Sequence, residues 1–168
     1  MLMTPEELAK LLNQPEVRGQ LMKDLAFIEM EMDMLLMFYF TTNRRYEPFL
    51  DLVVSRLGFN DKVSIIENLP FKKNYKSANK LKIIRQLQQV RNLAAHSTYL
   101  TERDKKIQNS NWRHLFKDYP KNYNKAVQDV RASIGRLINT KEVLDHFKFV
   151  NSHSKSSQQD ASKAGASA

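Results

Sequence analysis

Arginine, asparagine and histidine stand together in the stretch RNLAAHSTYL, residues 91–100, inside an otherwise apolar run. Arg91 carries a planar guanidinium that stays charged and forks onto phosphate or carboxylate. Asn92 offers an amide that both donates and accepts, and the imidazole of His96 belongs to the class that exchanges protons near neutral pH. Together they suit a phosphate group and a proton transfer. Their spacing complicates that reading. On an ideal helix Arg91 and His96 lie about 140° apart and about 7.5 Å along the axis, so they do not share a face. Either the helix frays or bends near Ala95, or a second copy supplies the complementary group across a dimer interface. The plain alternative is that Arg91 snorkels on the surface and His96 sits at a helix C-terminus, where the macrodipole favours it.

Other chemistries lack their residues. The chain has no phosphate-binding GxxxxGK loop, no GxGxxG, no HExxH and no GxSxG. His96, His114, His146 and His153 are 18, 32 and 7 residues apart. None of these is the three- or four-residue step that places two ligands on one helical face. Glu29 and Asp33 are one helical step apart, a weak signal for a carboxylate metal site. With no cysteine there is neither a disulfide nor a thiolate zinc site. No metal or cofactor is expected.

The formal charge of +9 favours a polyanionic partner, most often nucleic acid. The excess is concentrated. Residues 72–106 hold ten Lys and Arg against Glu102 and Asp104, a net +8, and the RNLAAH stretch lies inside this segment. Lys62 and the basic residues Lys72, Lys73 and Lys76 of FKKNYKS are candidate contacts to such a partner. Trp112 and Tyr119 are aromatic enough to stack on bases, although packing is the plainer role.

The elements that must position these residues read as helices. TPEE, residues 4–7, is a helix start, with Thr4 as cap, Pro5 in the first turn and Glu7 closing a capping box. A long helix over about 16–41 carries Leu21, Leu25, Ile28, Met32, Leu35 and Tyr39 on one stripe. Inside it EMEMDM alternates like a strand, but six residues do not outweigh the longer helical period. Its methionines suit core or interface packing. A third helix starts near Glu47 and is expected to end with Gly58 at its C′ position. A short one follows, capped by Asn60 or Asp61 and stopped before Pro70. Ser77 opens the next, with Leu81, Ile84, Leu87, Val90 and Ala94 on one side. After Thr101 a polar connection is expected, then a last helix from Pro120 to about Phe147.

With 168 residues, 42% apolar, four glycines and five prolines, the chain reads as all-α: one domain over 1–150, a bundle of four or five helices, and a disordered tail at 151–168. The longest apolar run, MLLMFYF, has seven residues, against about 20 for a membrane span. The beginning MLMTPEEL lacks the form of a secretory signal, so a soluble, cytoplasmic protein is expected.

Arg91-Asn92-x-x-x-His96 resembles the R-x(4–6)-H motif of the HEPN superfamily, in which a polar residue often follows the arginine. A long early helix, GFNDKVSIIENL, a basic linker and a late helical RNLAAH follow the order of HEPN domains over roughly residues 16–147. The resemblance implies a helical domain that dimerises so that two motifs face each other. It further implies a metal-independent endoribonuclease of a toxin–antitoxin or phage-defence system, with RNA as substrate and an antitoxin or regulatory protein as a further partner. On that reading His96 moves the proton, Arg91 holds the phosphate as charge builds on it, and Asn92 orients the histidine or a phosphate oxygen. The products would be a 2′,3′-cyclic phosphate and a 5′-hydroxyl. Toxins paired with nucleotidyltransferases resemble R-x(4)-H-x-Y; here that position is Thr98, with Tyr99 one residue late. This counts against that subgroup and against adenylylation of this tyrosine. Two other readings stay open: a catalytically silent helical module that binds RNA or a protein, and a structural helical dimer whose basic face only solvates it.

Overall fold

The computed structural model describes residues 3–41, 45–69, 78–108 and 111–138, and every regular element in them is helical. In order these are α1 (Pro5–Leu12), α2 (Pro15–Phe40), α3 (Tyr46–Leu52), α4 (Phe59–Asn68), α5 (Ala78–His96), α6 (Lys105–Gln108) and α7 (Lys121–Ile138). Single 3₁₀ turns cover Val54–Arg56 and Arg113–Phe116. The all-α expectation holds.

Local chemistry explains where several helices begin. The Glu7 backbone N–H donates to Thr4 Oγ1 at 3.2 Å, and the Thr4 backbone N–H donates to Glu7 Oε2 at 2.8 Å, which completes the capping box. The Thr4 backbone N–H, then its hydroxyl, hold the Glu7 carboxyl below its ordinary value. The EMEMDM stretch is helical. There Met32 is buried while Met30 and Met34, one turn apart, are exposed, as a helical period requires.

Gly58 departs from expectation. The third helix stops at Leu52, six residues before it, and Gly58 is the N-cap of α4 with φ −65° and ψ 155°. Its N–H donates to Asp61 Oδ2 at 3.1 Å, so Asp61 works from the third position of the helix and not as its cap. A glycine after an apolar run resembles a helix stop; here the carboxylate three residues later turns it into a start.

The chain contacts fall into two units: residues 1–31 with 76–133, and 32–75 with 134–168. In the first, Leu8, Leu12, Leu21, Ile28, Leu87, Val90, Ile107, Phe116 and Tyr123 are buried. The rings of Phe116 and Tyr123 stack with centroids 5.5 Å apart, and Trp112 meets Phe116 edge-on at 6.0 Å. Trp112 and Tyr119 therefore take the packing role. Tyr123 donates its hydroxyl to Asp24 Oδ2 at 2.9 Å. Burial first, and the Asp24 charge next, hold this phenol protonated well above the tyrosine range. In the second unit Met32, Leu35, Val54, Val63, Ile66 and Leu137 are buried. No helix among the described residues is long and apolar enough to cross a membrane.

Candidate functional site

The RNLAAH stretch ends α5, which stays helical through His96, and the Ser97 N–H still donates to the Leu93 carbonyl at 3.2 Å. Fraying or bending near Ala95 is thus not how this helix is built. Val90, Leu93 and Ala94 face inward; Arg91, Ala95 and His96 are exposed. The bare carbonyls at this helix end need donors, and α2 supplies them. Arg18 donates through Nη1 to the carbonyls of Ala94 and Ser97 at 3.2 and 2.7 Å. Through Nε it donates to the Leu12 carbonyl at 2.8 Å, and through Nη2 to Asn13 Oδ1 at 2.9 Å. Asn13 also donates to the Leu100 carbonyl and accepts from the Leu100 N–H, at 2.8 and 2.9 Å. One arginine and one asparagine therefore fix the ends of α1 and α5 and the segment leaving His96.

That segment leads into α6 beside the end of α5. Asp104 accepts from the Thr101 N–H at 2.8 Å, while its own carbonyl accepts from the N–H groups of Ile107 and Gln108. Ile107 is fully buried, which pins the short helix and leaves Lys105 and Lys106 outside. Asn111 is held by Gln86, whose Nε2 donates to its carbonyl at 3.3 Å, and by His114, whose Nδ1 lies 2.9 Å from the same oxygen.

These elements enclose a cleft of about 710 Å³ lined by Asn92 and His96 from α5, Lys105 and Lys106 from α6, and Asn111 with Trp112, among others. Its volume is that of a small-ligand site. Asn92 and His96 are four residues apart and share this face. Arg91 lies outside the lining, and its Nη1 donates to Asn92 Oδ1 at 3.2 Å. The cleft therefore joins two of the three expected residues, with the third tethered at its side. None of the described lining residues is acidic.

Other expected contacts fare differently. Lys62 is 2% exposed, and its Nζ meets Asp33 Oδ1 at 2.8 Å. This corrects its reading as an RNA contact, because an ammonium taken out of water needs a carboxylate at hand and is held by it. Asp33 is thereby engaged with a lysine. Among the described residues no three His, Cys, Asp or Glu side chains gather as a metal site. Lys72, Lys73, Lys76 and the 151–168 tail lie outside the described residues. The sequence reading missed Lys105 and Lys106 as site residues; the only available signal was their place in the basic segment that contains RNLAAH. Compared with known protein families, curated proteins and solved structures, the chain finds no match in any of the three.

Proposed function

We propose that the chain is a metal-independent endoribonuclease of HEPN type that works as a homodimer. One observation carries the reading: His96 and Asn92 open side by side into a cleft that bears two lysines and, among its described lining residues, no acid. A histidine in a cationic cleft suits cleavage through the RNA's own 2′-hydroxyl, which needs a proton acceptor and positive charge at the phosphate. His96 takes the proton from that hydroxyl and the 2′-oxygen bonds to phosphorus. The bond from phosphorus to the 5′-oxygen breaks, and the leaving oxygen takes a proton from water. The ends left are a 2′,3′-cyclic phosphate and a 5′-hydroxyl. Asn92 orients the imidazole or a phosphate oxygen, and a guanidinium stabilises the charge that grows on phosphorus.

The guanidinium is the reason for the dimer. Because α5 is helical to its end, its own Arg91 stays off the His96 face. Arg91 of a second copy meets the phosphate held by this copy's His96 when the two motifs face each other. Cytoplasmic action in a toxin–antitoxin or phage-defence setting, checked by an antitoxin or regulatory protein, is the biological form of this proposal.

A second reading is a catalytically silent module that binds RNA or a protein. The position of Arg91 outside the cleft favours it, since within one chain the two groups are apart. The test is cleavage of a mixed RNA pool in excess EDTA by the parent protein, Arg91→Ala and His96→Ala, with folding and dimerisation checked for each. The nuclease reading expects cleavage by the parent alone. Equal cleavage by all three would mean a contaminant, and binding without cleavage would select the silent module.

A further inference from the structure

The Asn92–His96 face opens onto α6, a different part of the chain from the RNLAAH motif, and α6 brings two cations. We infer that Lys105 and Lys106 form a phosphate-holding pair within the same chain as His96, and that they hold an RNA phosphodiester in the cleft. This deepens the ribonuclease reading and rests on it for the choice of ligand.

Three observations support the pair. Both lysines line the cleft that His96 and Asn92 line. Neither is ion-paired among the described residues. The nearby acid that would most readily neutralise them, Asp104, spends its carboxylate on the N–H and hydroxyl of Thr101. The turn that carries the pair is also anchored: Ile107 is buried within α6, and the Asn13–Leu100 bonds hold the segment that leads into it. Two ammonium groups on an anchored turn, beside an imidazole and with no carboxylate among the described lining residues, attract an anion and hold it where the imidazole can act. The volume of about 710 Å³ admits a nucleotide around the phosphate and not the phosphate alone. Gln89, one turn before Asn92 on α5, also lines the cleft, and its carboxamide can meet a base edge, as recognition of unpaired RNA requires.

The experiment uses a fluorescent RNA oligonucleotide with 2′-O-methyl groups throughout. It carries the phosphodiester but has no nucleophile, so binding is read apart from cleavage. Affinity is measured against salt for the parent, for Lys105→Gln/Lys106→Gln, and for a control of equal charge change outside the cleft, Lys117→Gln/Lys121→Gln. The cleft pair is expected to weaken binding at least tenfold and to lower the salt slope by about 1.4, two phosphate contacts on a single strand. The control is expected to change affinity less than threefold. Equal weakening by both double variants would overturn the inference, because net charge alone would then explain it. So would inorganic phosphate that displaces the oligonucleotide at micromolar concentration, because the cleft would then be a site for the free ion. Cleavable RNA separates this inference from the nuclease reading. A parent that binds through the lysines but never cleaves removes the nuclease and keeps the pair. A lysine variant that cleaves with unchanged KM removes the pair and keeps the nuclease.

Discussion

Arg18 of α2 donates to the carbonyl of Ser97, 79 residues further along the chain, at 2.7 Å. The same guanidinium reaches Ala94, Leu12 and Asn13, so it acts as the C-terminal cap that α5 does not carry in its own sequence. The imidazole that opens the cleft is the last residue of that helix.

Arg18→Leu should therefore loosen the end of α5 first. The part-buried carbonyls lose their donors, at a cost of about 2–3 kcal/mol in stability. Hydrogen exchange at the amides of Leu93 to Ser97 should speed up more than at Leu87. Unchanged exchange there would show that the cap is not needed.

The pair of buried Lys62 and half-buried Asp33 makes a different prediction. Lys62→Met takes the ammonium away from Asp33 and should cost about 1–3 kcal/mol, whereas Lys62→Met/Asp33→Leu should recover part of it. Chemical denaturation of the two single variants and the double variant measures this. None of the three should alter the salt slope of RNA binding.

Tyr123 sets a stability change in alkali. Its pKa is raised in the folded state, so the unfolded chain loses the phenolic proton first as pH climbs. Its contribution is complete below about pH 10, the unfolded value, and fades as pH rises above it. Tyr123→Phe should be less stable at neutral pH, lacking the bond to Asp24, and should show a shallower fall above pH 10. Parallel curves for the two proteins would contradict this origin.

How far the sequence could be read depended on the range of the interactions. The start of α1 was legible because Thr4, Pro5 and Glu7 act within one turn. The separation of Arg91 from His96 was legible because the helical period alone decides it. Gly58 misled because its meaning rests on a carboxylate three residues on. Lys62 looked like Lys72 or Lys105, and burial against Asp33 is not written in its neighbours. The cleft was hidden for the same reason: Asn13 must meet Leu100, 87 residues away, before α6 can stand beside the end of α5.

If the catalytic unit borrows Arg91 from a second copy, two dead variants should repair each other. Mixed Arg91→Ala and His96→Ala proteins, allowed to exchange subunits, form heterodimers in which one site keeps both groups. Up to a quarter of parental activity is expected, as half the dimers are mixed and half their sites intact. No recovery despite proven exchange would place both groups of each site in one chain.

The chemical identity of the RNA ends tests the nuclease most directly. A defined RNA is digested in excess EDTA beside the His96→Ala protein, and the fragment masses are measured. The parent should leave 2′,3′-cyclic phosphate and 5′-hydroxyl ends, and the variant should leave the RNA intact. Fragments with 5′-phosphate and 3′-hydroxyl ends, or cleavage that appears only when a divalent metal is added, would contradict it.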